Sequence, residues 1–313
     1  MHSSAASEII LHHYPRSPFA EKIRVTLGLK GLRWRSVIQP RIAPKPMLTR
    51  LTGGYRRIPV MQIGADIYCD TRRILAELEW RYPESSIYPP GTRGHADVIS
   101  GWADHALFAN ALGLVFGLNG DSFPPELHAD RARFTAGKFD GWDSAKMRLQ
   151  LPVLRNQFKR HLAWLNDCMA DGRAFLLGNK PSLADIAVYH PLWYARGNLG
   201  DDAGLGDFAK LGDWMECVAA LGHGVPIELQ PEEALDIARA AQPGIAHPAA
   251  PVGEVQWTPG MQLAVTPVDW GFDTVTGECV SVTADTIVLR HEDAALGHVA
   301  VHFPRAGFSV AQV

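Results

Sequence analysis

The run Glu8–His13 is apolar and strand-like, and it stops at Tyr14-Pro15-Arg16-Ser17-Pro18 before Phe19-Ala20-Glu21-Lys22-Ile23-Arg24 begins a helical pattern. A strand, a short turn carrying one hydroxyl and a helix opened by Pro18 aim Ser17 at the helix N-terminus. Backbone N–H groups are unpaired there, and the helix dipole favours negative charge. A thiolate or carboxylate is stabilised at such a point. Serine before proline is also a good N-cap, so on this segment alone capping and anion stabilisation stand side by side.

The elements that follow constrain the rest of the fold. Glu8–His13 reads as a strand, Pro18–Leu29 as a helix and Trp34–Ile38 as a second strand. After a Pro-rich loop around Arg41–Pro46 come Ile58–Ile63, a Gly64-Ala65-Asp66 turn and Ile67-Tyr68-Cys69, which read as a hairpin. Thr71–Tyr82 carries Ile74, Leu75, Leu78 and Tyr82 at helical spacing. The order β-α-β, loop, β-β-α is that of a thioredoxin-like domain. Pro89–Gly94 reads as a linker, and helical periodicity then dominates over Val98–Leu118, Asp130–Phe139, Ser144–Ala170, Leu183–Tyr194, Ala209–Leu221 and Pro231–Ala240.

A second break follows at Gln242-Pro243-Gly244 and His247–Pro251. Beyond it Gln262–Val265, Glu278–Val282, Thr286–Arg290 and His298–Phe303 predict short strands of an antiparallel sheet or small barrel. The fold class expected is therefore α+β and multidomain. A thioredoxin-like α/β domain spans 1–90, an all-α helical bundle domain 91–245, and a small C-terminal antiparallel β domain 251–313.

Charge is unevenly spread across these segments. Residues 1–90 hold 14 Lys/Arg against 7 Asp/Glu, whereas 91–313 hold 16 against 26. A basic N-terminal third suits a small anionic ligand, and a solvated surface accounts for it too. The spacing does not say whether Arg16, Arg56, Arg57, Arg72 and Arg73 share a face. No Lys/Arg run interleaved with aromatics points to nucleic acid. Met1–Ser7 lacks the pattern of a secretory signal, and Ala106–Leu118, the most apolar helical stretch, is too short to span a bilayer. No membrane association is expected. Cys69, Cys168, Cys217 and Cys279 are widely spaced and read as free thiols in a reducing compartment, so a cytoplasmic location is expected.

Three further signatures accompany Ser17. Ile58-Pro59 stands just before an apolar strand, and Asp70-Thr71 sits at the mouth of the next helix. In Phe175–Ala187, Ser182 and Asp185 form a Ser-x-x-Asp capping box. In this order the four resemble a glutathione transferase over residues 8 to 240, and the capping box is the most specific of them. The resemblance implies glutathione as co-substrate. Ile58 would pair through its backbone with the cysteinyl part, ahead of a cis Pro59. Asp70 would take the ammonium, and Thr71 with exposed N–H groups the carboxylate. Thr71 departs from the family's usual serine.

In the family a side chain at position 17 contacts the sulfur. Lowering a thiol pKa of about 8.5 by two units corresponds to roughly 2.7 kcal/mol, which one hydrogen bond to the anion and the helix dipole together supply. Thiol-handling subgroups place cysteine in this position, and serine cannot form a mixed disulfide, so thiol transfer is disfavoured. Tyr14 and Arg16 are rival donors to the sulfur, and Phe19 is a further candidate beside it.

The expected partner is an apolar electrophilic small molecule, and a homodimer is expected from the resemblance. The alternative is a non-catalytic protein of the same fold that binds glutathione, a conjugate or a protein. The tail 251–313 is foreign to the usual two-domain family and favours that alternative.

Other residues have plainer readings. Trp102, His105, Phe108, Ala109 and Leu112 form a stripe that either lines an electrophile pocket or packs as core. His291, His298 and His302 lack the acids or thiols of a metal set and read as surface histidines. His12-His13 points one imidazole inward, and Cys69 reads as a buried structural thiol.

Overall fold

The computed structural model describes residues 8–136, 142–244 and 257–313. The N-terminal segment contains β1 (Ile10–His13), α1 (Pro18–Leu29), β2 (Arg33–Ile38), α2 (Pro46–Thr52), β3 (Val60–Ile63), β4 (Asp66–Cys69) and α3 (Thr71–Arg81). The helical segment contains α4 (Arg93–Trp102), α5 (Phe108–Asn119), α6 (Pro125–Thr135), α7 (Ser144–Leu149), α8 (Leu151–Cys168), α9 (Leu183–Leu199) and α10 (Ala209–Ala219). Then come β5 (Val225–Glu228) and α11 (Pro231–Ala240). The tail adds β6 (Gln262–Pro267), β7 (Val275–Val282), β8 (Thr286–Asp293), β9 (Gly297–Pro304) and β10 (Phe308–Gln312). This is the α+β architecture expected, with a thioredoxin-like part, a helical part and a mostly antiparallel C-terminal part.

Several boundaries differ from expectation. The first helix and the tail strands lie where periodicity puts them, but α2, β5 and β10 have no counterpart in the sequence reading. The helix expected at Asp130–Phe139 is α6 and begins at Pro125; Phe139 lies outside the described residues. Ser144–Ala170 is two helices, because Pro152 lacks an N–H and restarts the chain as α8. The break His247–Pro251 also lies outside the described residues.

The tail does not form a sheet of its own. All strands join in the order β10-β6-β7-β8-β9-β4-β3-β1-β2-β5. β9 runs parallel to β4, with Ile67 beside Val301, and this pairing carries the tail onto the thioredoxin-like sheet. Buried polar contacts lock the seam: His302 lies 2.7 Å from Asp66 and stacks on Tyr68. His302 is therefore a core residue rather than a surface one, because β9 is covered on both faces. His12 and His13 are likewise both buried, His12 against Gln62 and His13 against Ser36 and Arg24.

Period-two alternation explains the two larger of the three buried clusters. Leu11, Met61, Ile63 and Tyr68 face α1, α3 and the helical part, whereas Val60, Ile67 and Cys69 face α2 and the tail. Both faces of β3 and β4 are thus buried, and both strands are covered along their whole length.

Among the helices, Arg93–Ser122 form one 30-residue run, apolar enough by length and composition to cross a membrane. The run is longer than the Ala106–Leu118 stretch the sequence suggested. In this fold just over half of its most apolar window is buried, and α5 packs on α8 and α9. Ala103–Leu107 within it is a π-helical turn. The capping box at α9 is present, and the buried Asp185 also accepts from the Leu176 N–H at 2.7 Å and from Trp214 Nε1 at 2.9 Å.

Candidate active site

A cleft enclosing about 180 Å³ opens between the N-terminal ends of α1 and α3, the α4–α5 run, α6 and two turns of the tail. Ser17 lies in its wall as the N-cap of α1, 2% exposed. Its Oγ accepts from the Ala20 N–H at 3.2 Å, so the capping reading holds. The hydroxyl proton is not used by that bond and stays available to an acceptor. The Phe19 N–H in the same turn makes no hydrogen bond among the described residues. Tyr14, Arg16 and Phe19 also line the cleft.

The turn before Ser17 is held from below. Arg24 donates to the Tyr14 and Pro15 carbonyls and to His13 Nδ1, and pairs with Glu21 at 2.7 Å. Beneath Phe19, Lys22 and His190 converge on Asp104 at 2.8 and 3.0 Å. Burial opposes ionisation of Asp104, but Lys22 and His190 overcome it and hold its carboxyl well below the usual range.

The Ile58-Pro59 bond is cis, and Ile58 and Pro59 face the same cleft. Neither the N–H nor the C=O of Ile58 is paired among the described residues. Asp70 has φ +73°, a left-handed conformation that a non-glycine residue adopts only under constraint. It caps α3, with Oδ1 accepting from the Arg72 N–H at 2.9 Å. Burial raises its pKa, against the pull of Arg57. Thr71 follows as the first residue of α3, buried and lining the cleft.

The α4–α5 stripe divides. His105, Phe108 and Leu112 line the cleft, whereas Trp102 packs edge-on against His161 at 5.3 Å and contributes nothing to it. The π turn between Trp102 and Phe108 adds a residue to one turn, which breaks the phase that a simple 3.6 period assumes. Of the basic residues, Arg16, Arg56, Arg57 and Arg72 line the cleft, while Arg73 turns away to Glu77 and Thr286.

The tail supplies a wall that no sequence signal announced. Asp269, in the turn between β6 and β7, lies 2.5 Å from Arg57, which also donates to the Trp270 carbonyl. Gly271 N–H donates to the Phe134 carbonyl at 2.8 Å, and φ +55° together with the nearby Phe134 ring leaves no room for a Cβ. Ala306 and Gly307, between β9 and β10, complete that side. On the opposite wall, Arg56 and Arg131 grip the fully buried Asp130 at 2.5 and 2.9 Å. All four cysteines are free, and burial raises the Cys69 thiol well above its ordinary range.

Comparison with known proteins agrees with this geometry. The family model "Glutathione S-transferase, N-terminal domain" matches residues 11–86, and "Glutathione S-transferase, C-terminal domain" matches 128–217. A GST-like protein from Pseudomonas syringae is 36% identical, with a TM-score of 0.82 over 98% of this chain and 100% of that one. A glutathione S-transferase from Rhodospirillum rubrum F11 is 22% identical, with a TM-score of 0.52 over 68% of this chain and 88% of that one. A Tau class glutathione S-transferase from mango is 16% identical, with a TM-score of 0.51 over 74% of this chain and 96% of that one. No curated protein matches.

Proposed function

The chain belongs to the glutathione S-transferase family, and from that premise we propose that it binds glutathione along Ile58, Asp70 and Thr71 and activates its sulfur at Ser17. The observation that carries this reading is that Ser17, Ile58, Asp70 and Thr71, scattered over 54 positions of sequence, line a single cleft. Ile58 offers an unpaired strand edge to an extended peptide. Asp70 and the α3 N-terminus offer a carboxylate and a positive dipole to an amino-acid end. The Ser17 hydroxyl and the Phe19 N–H offer hydrogen bonds to a sulfur anion.

In the reaction proposed, the thiol proton goes to solvent and the thiolate lone pair forms a C–S bond. The leaving group departs with its bonding electrons. The electrophile's apolar body would rest on Phe108, Leu112 and Phe116. A homodimer and a cytoplasmic location are part of the same reading, the first testable by light scattering.

Calorimetric titration with glutathione tests the proposal, repeated on Asp70→Ala and Ser17→Ala. The expected result is binding that Asp70→Ala weakens at least tenfold, with Ser17→Ala raising the bound thiol's pKa. A second reading is favoured by one observation: Ser17 is buried and already employed as a cap. If Ser17→Ala, Tyr14→Phe and Arg16→Gln each leave the thiol's pKa unchanged, the protein is a glutathione-binding module. No glutathione binding at all overturns both readings of this site.

A further inference from the structure

α3 borders a second cavity, larger than the cleft: about 490 Å³ against about 180 Å³. Its other walls are the start of α4 and one face of β7, β8 and β9. Strand alternation selects that face. Thr286, Val288, His302 and Pro304 line the groove, while their neighbours Ile287, Leu289, Val301 and Phe303 lie in the core that the tail shares with β4. β7 reaches the same face only through its bulge between Cys279 and Ser281. Two positions apart, these residues would otherwise share a face. Instead Cys279 and Val282 pack on the core, and Ser281 lines the groove. The two family models end at residues 86 and 217, so this wall lies beyond both.

The groove holds hydrogen-bond donors with nothing to donate to. Arg73 is 8% exposed; it reaches Glu77 and Thr286, yet its Nε–H has no acceptor among the described residues. The Arg72 guanidinium and the Ser281 hydroxyl also line the groove, and neither makes a hydrogen bond or ion pair among the described residues. At the α4 end Arg93 lies over the Tyr88 ring, 3.9 Å from its centre. The acids of the groove do not answer these donors. Asp97 accepts from the Tyr88 hydroxyl at 2.7 Å, and Asp285 is exposed and pairs with no arginine among the described residues.

A buried N–H without an acceptor is costly, and an oxyanion in the groove supplies one. The three terminal oxygens of a phosphate monoester can accept from three side chains at once, whereas a carboxylate offers two coplanar oxygens. Leu75, Leu183 and Val288 leave apolar surface for the body that carries the anion. We propose that the groove between α3 and the tail is a second ligand site, taking a phosphate monoester whose phosphate is received by Arg72, Arg73 and Ser281 and whose apolar body lies on Leu75, Leu183 and Val288. This site does not depend on glutathione binding in the cleft.

The test is calorimetric titration with phenyl phosphate, inorganic phosphate and benzoate, with and without saturating S-methylglutathione to fill the cleft. The expected result is that phenyl phosphate binds at least tenfold more tightly than either of the others, and still binds when S-methylglutathione is present. Arg73→Gln and Ser281→Ala should each weaken it severalfold. Ala76→Trp, on the exposed face of α3 that borders the groove, should weaken it at least tenfold by filling the space. No binding of phenyl phosphate overturns the proposal, and so does equal affinity for benzoate. Binding that S-methylglutathione abolishes, or that Ser281→Ala and Ala76→Trp both leave unchanged, belongs to the cleft and also overturns it. If S-methylglutathione itself does not bind, the glutathione reading fails and the groove variants decide this one. Thermal unfolding checks each variant; should Arg73→Gln not fold, because it strips a partner from the buried Glu77, Ser281→Ala and Ala76→Trp remain decisive.

Discussion

The two ends of the cleft are built by opposite means. The thiol end is local: Ser17, Asp70 and Thr71 cap or open the helices that hold them, and Ile58 stands beside its own cis proline. The walls beyond it are assembled at long range: on the tail wall Arg57 meets Asp269 across 212 positions, and on the far wall Arg56 meets Asp130 across 74. Local caps tolerate losses of about 1 kcal/mol each, whereas buried ion pairs fail steeply when one partner is removed. The difference also separates positioning from binding. Arg57 is fixed by the tail, while Lys45 and Arg41 form no ion pair among the described residues.

The largest expected effect falls on the far wall. Asp130→Ala strands two guanidiniums in a buried site and should cost about 3–5 kcal/mol in urea unfolding. A loss under about 1 kcal/mol would mean that the far wall is no more coupled than the thiol end.

Acid should act on the other end. Unfolded imidazoles take up protons below about 6.5, whereas burial holds His12 at about 4 and burial with Arg24 holds His13 at about 3. Between these values the unfolded chain binds more protons, so stability falls as pH drops from 7 toward 4. The loss is roughly 2 kcal/mol per imidazole at pH 5. Because His13 supports Arg24 and the Tyr14-Pro15 turn, hydrogen exchange near Ser17 should rise before exchange near Asp130.

Asp269→Asn removes the charge that holds Arg57 and should weaken glutathione binding about tenfold; because Asp269 is 27% exposed, it should lower the thermal midpoint less than Asp130→Ala does. An unchanged affinity would reduce the tail to a structural cover. Ser17→Ala should have the smallest effect on stability, about 1 kcal/mol, measured by urea unfolding.

Much of the thiol end was legible because its signals are short. Ser17-Pro18, Ile58-Pro59, Asp70-Thr71 and the Ser182/Asp185 box each act over a few residues, and the structure brings the first three to one cleft. The stripe could not be divided from sequence, and Trp102 packs away from the cleft, because a π turn changes the helical phase without any compositional mark. His302 was taken for a surface residue because nothing in its own strand shows that Asp66 and Tyr68 lie beside it. α2 hid in a Pro-rich segment, where Pro46 at its first position looks like a loop residue.

By itself the sequence determined the family, most of the order of elements and the capped helix ends, since caps, prolines and hydrophobic periods are encoded within a turn or two of chain. Only the tertiary structure decided that β9 would pair with β4, that Asp269 and Trp270 would hold Arg57, and that Arg56 and Arg131 would share Asp130. Pairing across so many positions is chosen by which surfaces pack together, and charge left over from that packing is what a ligand can use.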